Sequence, residues 1–150
     1  MERSDFMNQE LVNLLNLEVA NFTVMYTKLH NFHWFIKGRH FFQLHEKFEA
    51  LYDEITLLLD ETAERILMIG EKPLATLNAC LEKTTIKEVD ADYSETEMIN
   101  ELIDDYETIN QEVTKGIALA NNVSDDVTAD LLVQIKSKFD KHLWMLKSFI

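Results

Sequence analysis

No glycine or proline falls between Ser4 and Lys37, or between Arg39 and Ile69. The three glycines stand at positions 38, 70 and 116, and the single proline at 73. These two residue types break helices and supply the special backbone angles of tight turns. A chain so poor in them has little turn chemistry for an all-β fold and is driven towards long helices with few connections. Hydrophobic spacing agrees. Leu11, Leu15, Phe22, Met25, Leu29, Phe32 and Ile36 recur at three- and four-residue intervals, as the buried stripe of a helix from about Ser4 to Lys37 requires. Only Glu18 interrupts that stripe, and a partly exposed or paired carboxylate is expected there.

A second helix is expected from about Arg39 to Ile69, with Phe41, Leu44, Phe48, Leu51, Ile55, Leu58, Ile66 and Ile69 on one face. Gly70 ends it and Pro73 blocks continuation. A third follows Ser94, where S-E-T-E reads as a capping box, and Leu102, Tyr106, Ile109, Val113 and Ile117 form its stripe. A fourth begins near Ser124 and carries Val127, Leu131, Ile135, Phe139, Leu143 and Leu146. The first two are each roughly 45 Å long at the helical rise per residue. Tight junctions at Gly38 and at about Asn121–Asp125 make each pair an antiparallel hairpin. The stretch from about Gly70 to Tyr93 is long enough to cross the bundle and to carry a short helix over Leu74–Leu81. Two hairpins joined by one long crossover describe an all-α, ferritin-like four-helix bundle.

The 150 residues and 17.6 kDa fit one domain over residues 1–150, enough to bury about 70% of the unfolded surface. A formal charge of −13 opposes free-standing nucleic-acid binding, which needs a basic patch, and suits attraction of cations. The lone Cys80 excludes an intrachain disulfide and fits a reducing compartment; an inert, partly buried thiol is expected. No apolar run approaches a membrane span, and the N-terminal MERSDFMNQE lacks the shape of a signal peptide. A soluble, cytoplasmic protein is expected.

The stretch HNFHWFIKGRHFFQLHEKFEALYDE, His30 to Glu54, holds four of the five histidines. On the second helix His45 and Glu49 are four apart, as are Asp60 and Glu64, so each pair projects from one face. Imidazole with carboxylate suits iron, manganese or zinc, and His33 can approach the same end of the bundle as His45. Yet His45 and Asp60 are about 22 Å apart along one continuous helix. One chain cannot close such a site. Two chains can, with their second helices antiparallel about a two-fold axis, which yields two identical shared sites. A di-iron site inside one bundle needs Glu-x-x-His on two helices, and no histidine here has Glu three residues before it.

These residues resemble the Dps family of mini-ferritins (DNA-binding protein from starved cells). The resemblance lies in K-L-H-N-F-H-W, G-R-H-F-F-Q-L-H-E-K-F-E-A-L-Y-D-E, D-E-T-A-E-R, D-D-V-T-A-D-L-L and D-K-H-L-W-M. It covers nearly the whole chain after about residue 10, and the spacing H-x11-H-x3-[DE]-x10-D-x3-E is highly specific. The resemblance implies a dodecameric hollow shell with a ferroxidase centre at each two-fold interface. His33 and His45 would come from one subunit, and Asp60 and Glu64 from its neighbour. Glu49 stands where the family often has Asp. Such centres take at most two iron ions, oxidise Fe²⁺ with hydrogen peroxide in preference to dioxygen, and store ferric mineral inside. Trp34 matches an aromatic that the family places near the iron to absorb oxidising equivalents. Asp126 and Asp130 match the acids of a three-fold iron-entry pore, and Glu46 is a candidate for the cavity face. His30, His40 and His142 match no ligand position and are expected to be hydrogen-bonded scaffold or interface residues. The family name also offers DNA binding, but the first ten residues hold one Arg against two Glu and one Asp, and so lack the basic tail that some members use.

Overall fold

The computed structural model describes residues 2–150. Among them are five α-helices and no strand: α1 Arg3–Phe35, α2 Phe41–Met68, α3 Leu77–Lys83, α4 Glu95–Asn122 and α5 Asp126–Phe149. The expected bundle is present, and departures are confined to element ends. α1 stops two residues short of Lys37, because Ile36 is already extended and Gly38 takes a φ of +120°. The crossover helix sits later than Leu74–Leu81. Thr76 caps it by accepting from the Ala79 amide, while Asn16 takes the Leu74 amide away from any helix. The capping box of Ser94 and Glu97 is formed with both of its bonds. Asp125 caps α5 by accepting from the Thr128 amide.

Two polar contacts fix the helix directions. His40, before α2, meets Glu95 at the start of α4 at 2.9 Å. Arg65, near the end of α2, meets Asp125 just beyond α4 at 2.9 Å. α2 and α4 therefore run parallel, and the segment between them must travel the length of the bundle. It docks on α1 through side chains. Asn16 donates to the Lys72 carbonyl, Asn21 accepts from the Thr85 amide, Lys28 donates to the Lys87 carbonyl and Asn31 to the Val89 carbonyl. Irregular backbone lacks internal partners, so α1 supplies them. On the other side of α1, Phe22, Phe32, Phe48, Tyr106 and Phe139 are fully buried in one core. Gly116 lets α4 close on its neighbours, since a Cβ there would lie 2.5 Å from the Leu14 side chain and 2.9 Å from that of Leu132.

Of the two alternatives expected for Glu18, partly exposed or paired, the second holds, and the residue is completely buried. The Asn21 amide nitrogen donates to Glu18 Oε1 at 3.2 Å and to Glu112 Oε1 at 2.8 Å. Burial first, and then the Glu112 charge, push the Glu18 carboxyl well above its ordinary value of 4.5. The folded chain thus keeps a proton that the unfolded chain loses, and this group's contribution to stability falls as pH rises through and beyond the ordinary value. Glu18→Gln keeps the hydrogen-bonding shape without the charge. It is expected to raise the thermal midpoint by a few degrees at about pH 8, the shift that roughly 1 kcal/mol gives a domain of this size. The gain should shrink towards about pH 5. Melting curves followed by circular dichroism across that range check it, and a pH-independent gain would contradict it.

Candidate metal centre

The turn between α1 and α2 brings two histidines face to face. His33 Nδ1 lies 2.6 Å from the His45 carbonyl oxygen, and His45 Nδ1 lies 2.8 Å from the His33 carbonyl oxygen. Their rings stack at 3.7 Å and 13°. A carbonyl only accepts, so each Nδ1 carries a ring proton, and in the neutral imidazole it is Nε2 that offers the lone pair. His33 Nε2 faces Glu49 Oε1 at 3.8 Å, one helical turn beyond His45. His33, His45 and Glu49 therefore lie at the same end of α2 without closing on one point, and imidazole with carboxylate is a donor type that suits iron, manganese or zinc.

Neighbouring side chains hold this cluster. Phe41 stacks on the His45 ring at 5.0 Å and 20°. The Tyr52 hydroxyl donates to Glu49 Oε1 at 3.3 Å. Partial burial and then the Glu49 charge push the Tyr52 phenol up, so it stays a neutral donor. The turn itself is pinned to α4. Glu95 accepts from the His40 backbone amide at 2.8 Å and pairs with the His40 ring, and these contacts hold the Glu95 carboxyl below its ordinary range.

Asp60 and Glu64, the other expected residues, lie exposed in the far half of α2. A hydrogen bond between their carboxyl groups, reinforced by charge repulsion, pushes Glu64 up. Along the helix they remain about 22 Å (Asp60) and about 28 Å (Glu64) from His45. Among the described residues, no three His, Cys, Asp or Glu side chains of one chain come together as a metal site. Asp60 sits in a groove that Leu57, Leu59, Ala63, Leu77 and Cys80 also line. Leu57 is 64% exposed there and Leu77 74%, an apolar surface beside a carboxylate pair.

The remaining candidates separate by environment. Asp126 and Asp130 are exposed, four apart on the opening turns of α5. Asp125 is structural: partial burial opposes its charge, but Thr128 and Arg65 outweigh that and hold its carboxyl low. Trp34 is 67% exposed, its ring 5.3 Å from His30, and Glu46 is exposed. His30, His40 and His142 each make the hydrogen bond expected of a scaffold residue, with the Tyr26 carbonyl, Glu95 and Glu54. Cys80 is buried, as α3 presses it against α1 near Thr23. Sequence reasoning missed Tyr52, although its place three residues after Glu49 on one helix face was a usable signal.

The ferritin-like domain family matches residues 12–150. DNA protection during starvation protein 2 of Bacillus anthracis is 48% identical over 146 residues, covering 96% of this chain and 99% of that protein. The crystal structure of Dps from Staphylococcus aureus superposes with a TM-score of 0.92 at 48% identity, covering 94% of this chain and 95% of that one. Dps from Vibrio cholerae, described as a member of a broad superfamily of ferritin-like diiron-carboxylate proteins, gives 0.92 at 31% identity over 96% and 91% of the two chains. The fold is thus that of the ferritin-like proteins. Within them, the chain belongs to the Dps family.

Gly38 shapes the turn that brings His33 to His45. Besides its positive φ, a Cβ there would lie 2.9 Å from Glu95 Oε1. Gly38→Ala is expected to destabilise the fold by about 1–2 kcal/mol, measured by denaturant unfolding.

Proposed function

We propose that this chain is an iron-detoxifying mini-ferritin that oxidises Fe²⁺ at centres shared between two subunits and stores the ferric product inside a hollow homo-oligomer, a dodecamer on the family's pattern. The observation that carries the reading is the split of the donor set: His33, His45 and Glu49 gather at one end of α2, and Asp60 and Glu64 lie at the other. Antiparallel packing of two α2 helices about a two-fold axis brings the halves together twice. The exposed Leu57 and Leu77 beside Asp60 suit burial in such an interface. The diiron-carboxylate description of the Vibrio cholerae relative supports iron as the substrate.

The residues divide the work. His33 and His45 offer neutral nitrogen donors that suit the incoming ferrous ion. Asp60 and Glu64 of the partner, with Glu49, supply negative oxygens that stabilise the ferric state more than the ferrous and so favour loss of an electron. Two Fe²⁺ ions give two electrons to one hydrogen peroxide molecule, which takes up two protons and leaves as two waters. No hydroxyl radical is released by that balance. Asp126 and Asp130 would draw cations inward at a three-fold pore, and Trp34 would absorb stray oxidising equivalents.

Single substitutions His45→Ala and Asp60→Ala are each expected to reduce peroxide-dependent iron oxidation more than about tenfold. Mixed assemblies of the two variants should regain about a quarter of the sites, because half of randomly formed interfaces are mixed and each of those holds one intact site. Stopped-flow oxidation of anaerobically loaded protein reads both outcomes. Equal inactivity of mixed and unmixed assemblies would remove the shared site.

DNA binding is the competing reading, drawn from the names of the relatives. Charge opposes it. At −13 per chain, an assembly repels phosphate near neutral pH. No duplex binding is expected at physiological salt, and a salt-sensitive gel shift at submicromolar protein would reverse that conclusion.

A further inference from the structure

Glu49 is a long side chain on a solvent-facing site, and that side chain is 53% exposed. Glutamate has one more rotatable bond than aspartate, so more conformational freedom is lost in fixing it as a ligand. Near it stands a stack of rings, Tyr52 on His30, that contributes no ligand. The Tyr52 hydroxyl reaches Glu49 Oε1 at 3.3 Å, the same oxygen that faces His33 Nε2. The Tyr52 ring lies flat against His30 at 3.7 Å and 18°, and edge-on to His33 at 5.4 Å and 88°. His30 is itself fixed, its Nδ1 lying 2.6 Å from the Tyr26 carbonyl oxygen. Each contact removes a rotation from the next group in the chain His30, Tyr52, Glu49.

We propose that Tyr52, braced by His30, is a positioning residue that holds the Glu49 carboxylate beside His33 for a divalent cation. The inference rests on the reading of His33 and Glu49 as parts of a cation site. It gives a role to His30, whose Nδ1 is already taken by the Tyr26 carbonyl. Partners outside the ligand shell that orient ligands in this way typically change metal affinity about 10- to 100-fold when removed.

The test is an anaerobic titration of the assembled protein with Co²⁺, a redox-inert probe whose visible absorption reports its ligands. Tyr52→Phe keeps the ring stack and loses only the hydroxyl. It is expected to weaken Co²⁺ binding about tenfold while leaving the thermal midpoint unchanged. In a Glu49→Asp background, where the carboxylate is too short to meet the hydroxyl, the same substitution should change affinity less than about twofold. His30→Ala should weaken binding as Tyr52→Phe does, and His30→Phe, which restores a ring to stack on, should recover it. Wild-type affinity in Tyr52→Phe overturns the proposal, as does an equal loss in both backgrounds, which would mean that Tyr52 acts by packing alone. Absence of saturable Co²⁺ binding that depends on His33 in the wild-type protein overturns the cation site itself, and the proposal with it.

Discussion

α2 and α4 run parallel, and a parallel pair of helices obliges the chain to travel the length of the bundle between them. Much of the molecule follows from that journey. The returning segment is mostly irregular, with only α3 as regular structure, so α1 must carry polar groups on a face that would otherwise be apolar. Asn16, Asn21, Lys28 and Asn31 do this in order along the helix, meeting residues 72 to 89 in the same order. The same topology places the α1–α2 turn beside the start of α4, which is why Glu95 can clamp His40. It also leaves the far end of α2 beside the α4–α5 turn, where Arg65 meets Asp125.

Polar groups inside a helical bundle cost stability unless they are matched. Lys28 is almost wholly buried, and it is paired with both Glu101 and Asp105. Burial still wins at Asp105 and pushes its carboxyl to about 6, against the pull of Lys28. Glu18 is buried deeper still, and burial pushes its carboxyl well above the ordinary value. The seam that guides the crossover therefore contains acids whose ionisation is shifted by the fold, and the core behind it is built around aromatic side chains.

How far the sequence was legible follows from the reach of each signal. Helical periodicity and scarce glycine act locally, so the helices and the tight turn at Gly38 were readable. The rise per residue made the separation of His45 from Asp60 readable too, before any coordinates. The crossover helix was displaced because apolar spacing at Leu74–Leu81 competed with a side-chain cap at Thr76 and with Asn16, whose reach is not local. Burial of Glu18 depended on Glu112 and on Asn21, which join segments distant in the sequence. Spacing put Tyr52 on the same helix face as Glu49, but the stacking of its ring on His30 joins two helices and is a matter of side-chain direction that spacing does not specify.

The reciprocal hydrogen bonds between His33 and His45 have a consequence for the order of assembly. Each histidine is oriented, and its tautomer chosen, by the backbone of the other within a single chain. In the proposed centre, the nitrogen half would therefore be complete before any partner arrives. In the proposed arrangement, a lone subunit offers a weak cation site, and docking of a second subunit adds the carboxylates that deepen it. Cation binding and subunit association are then thermodynamically linked, so each strengthens the other. The shell would tighten at the moment it has iron to handle.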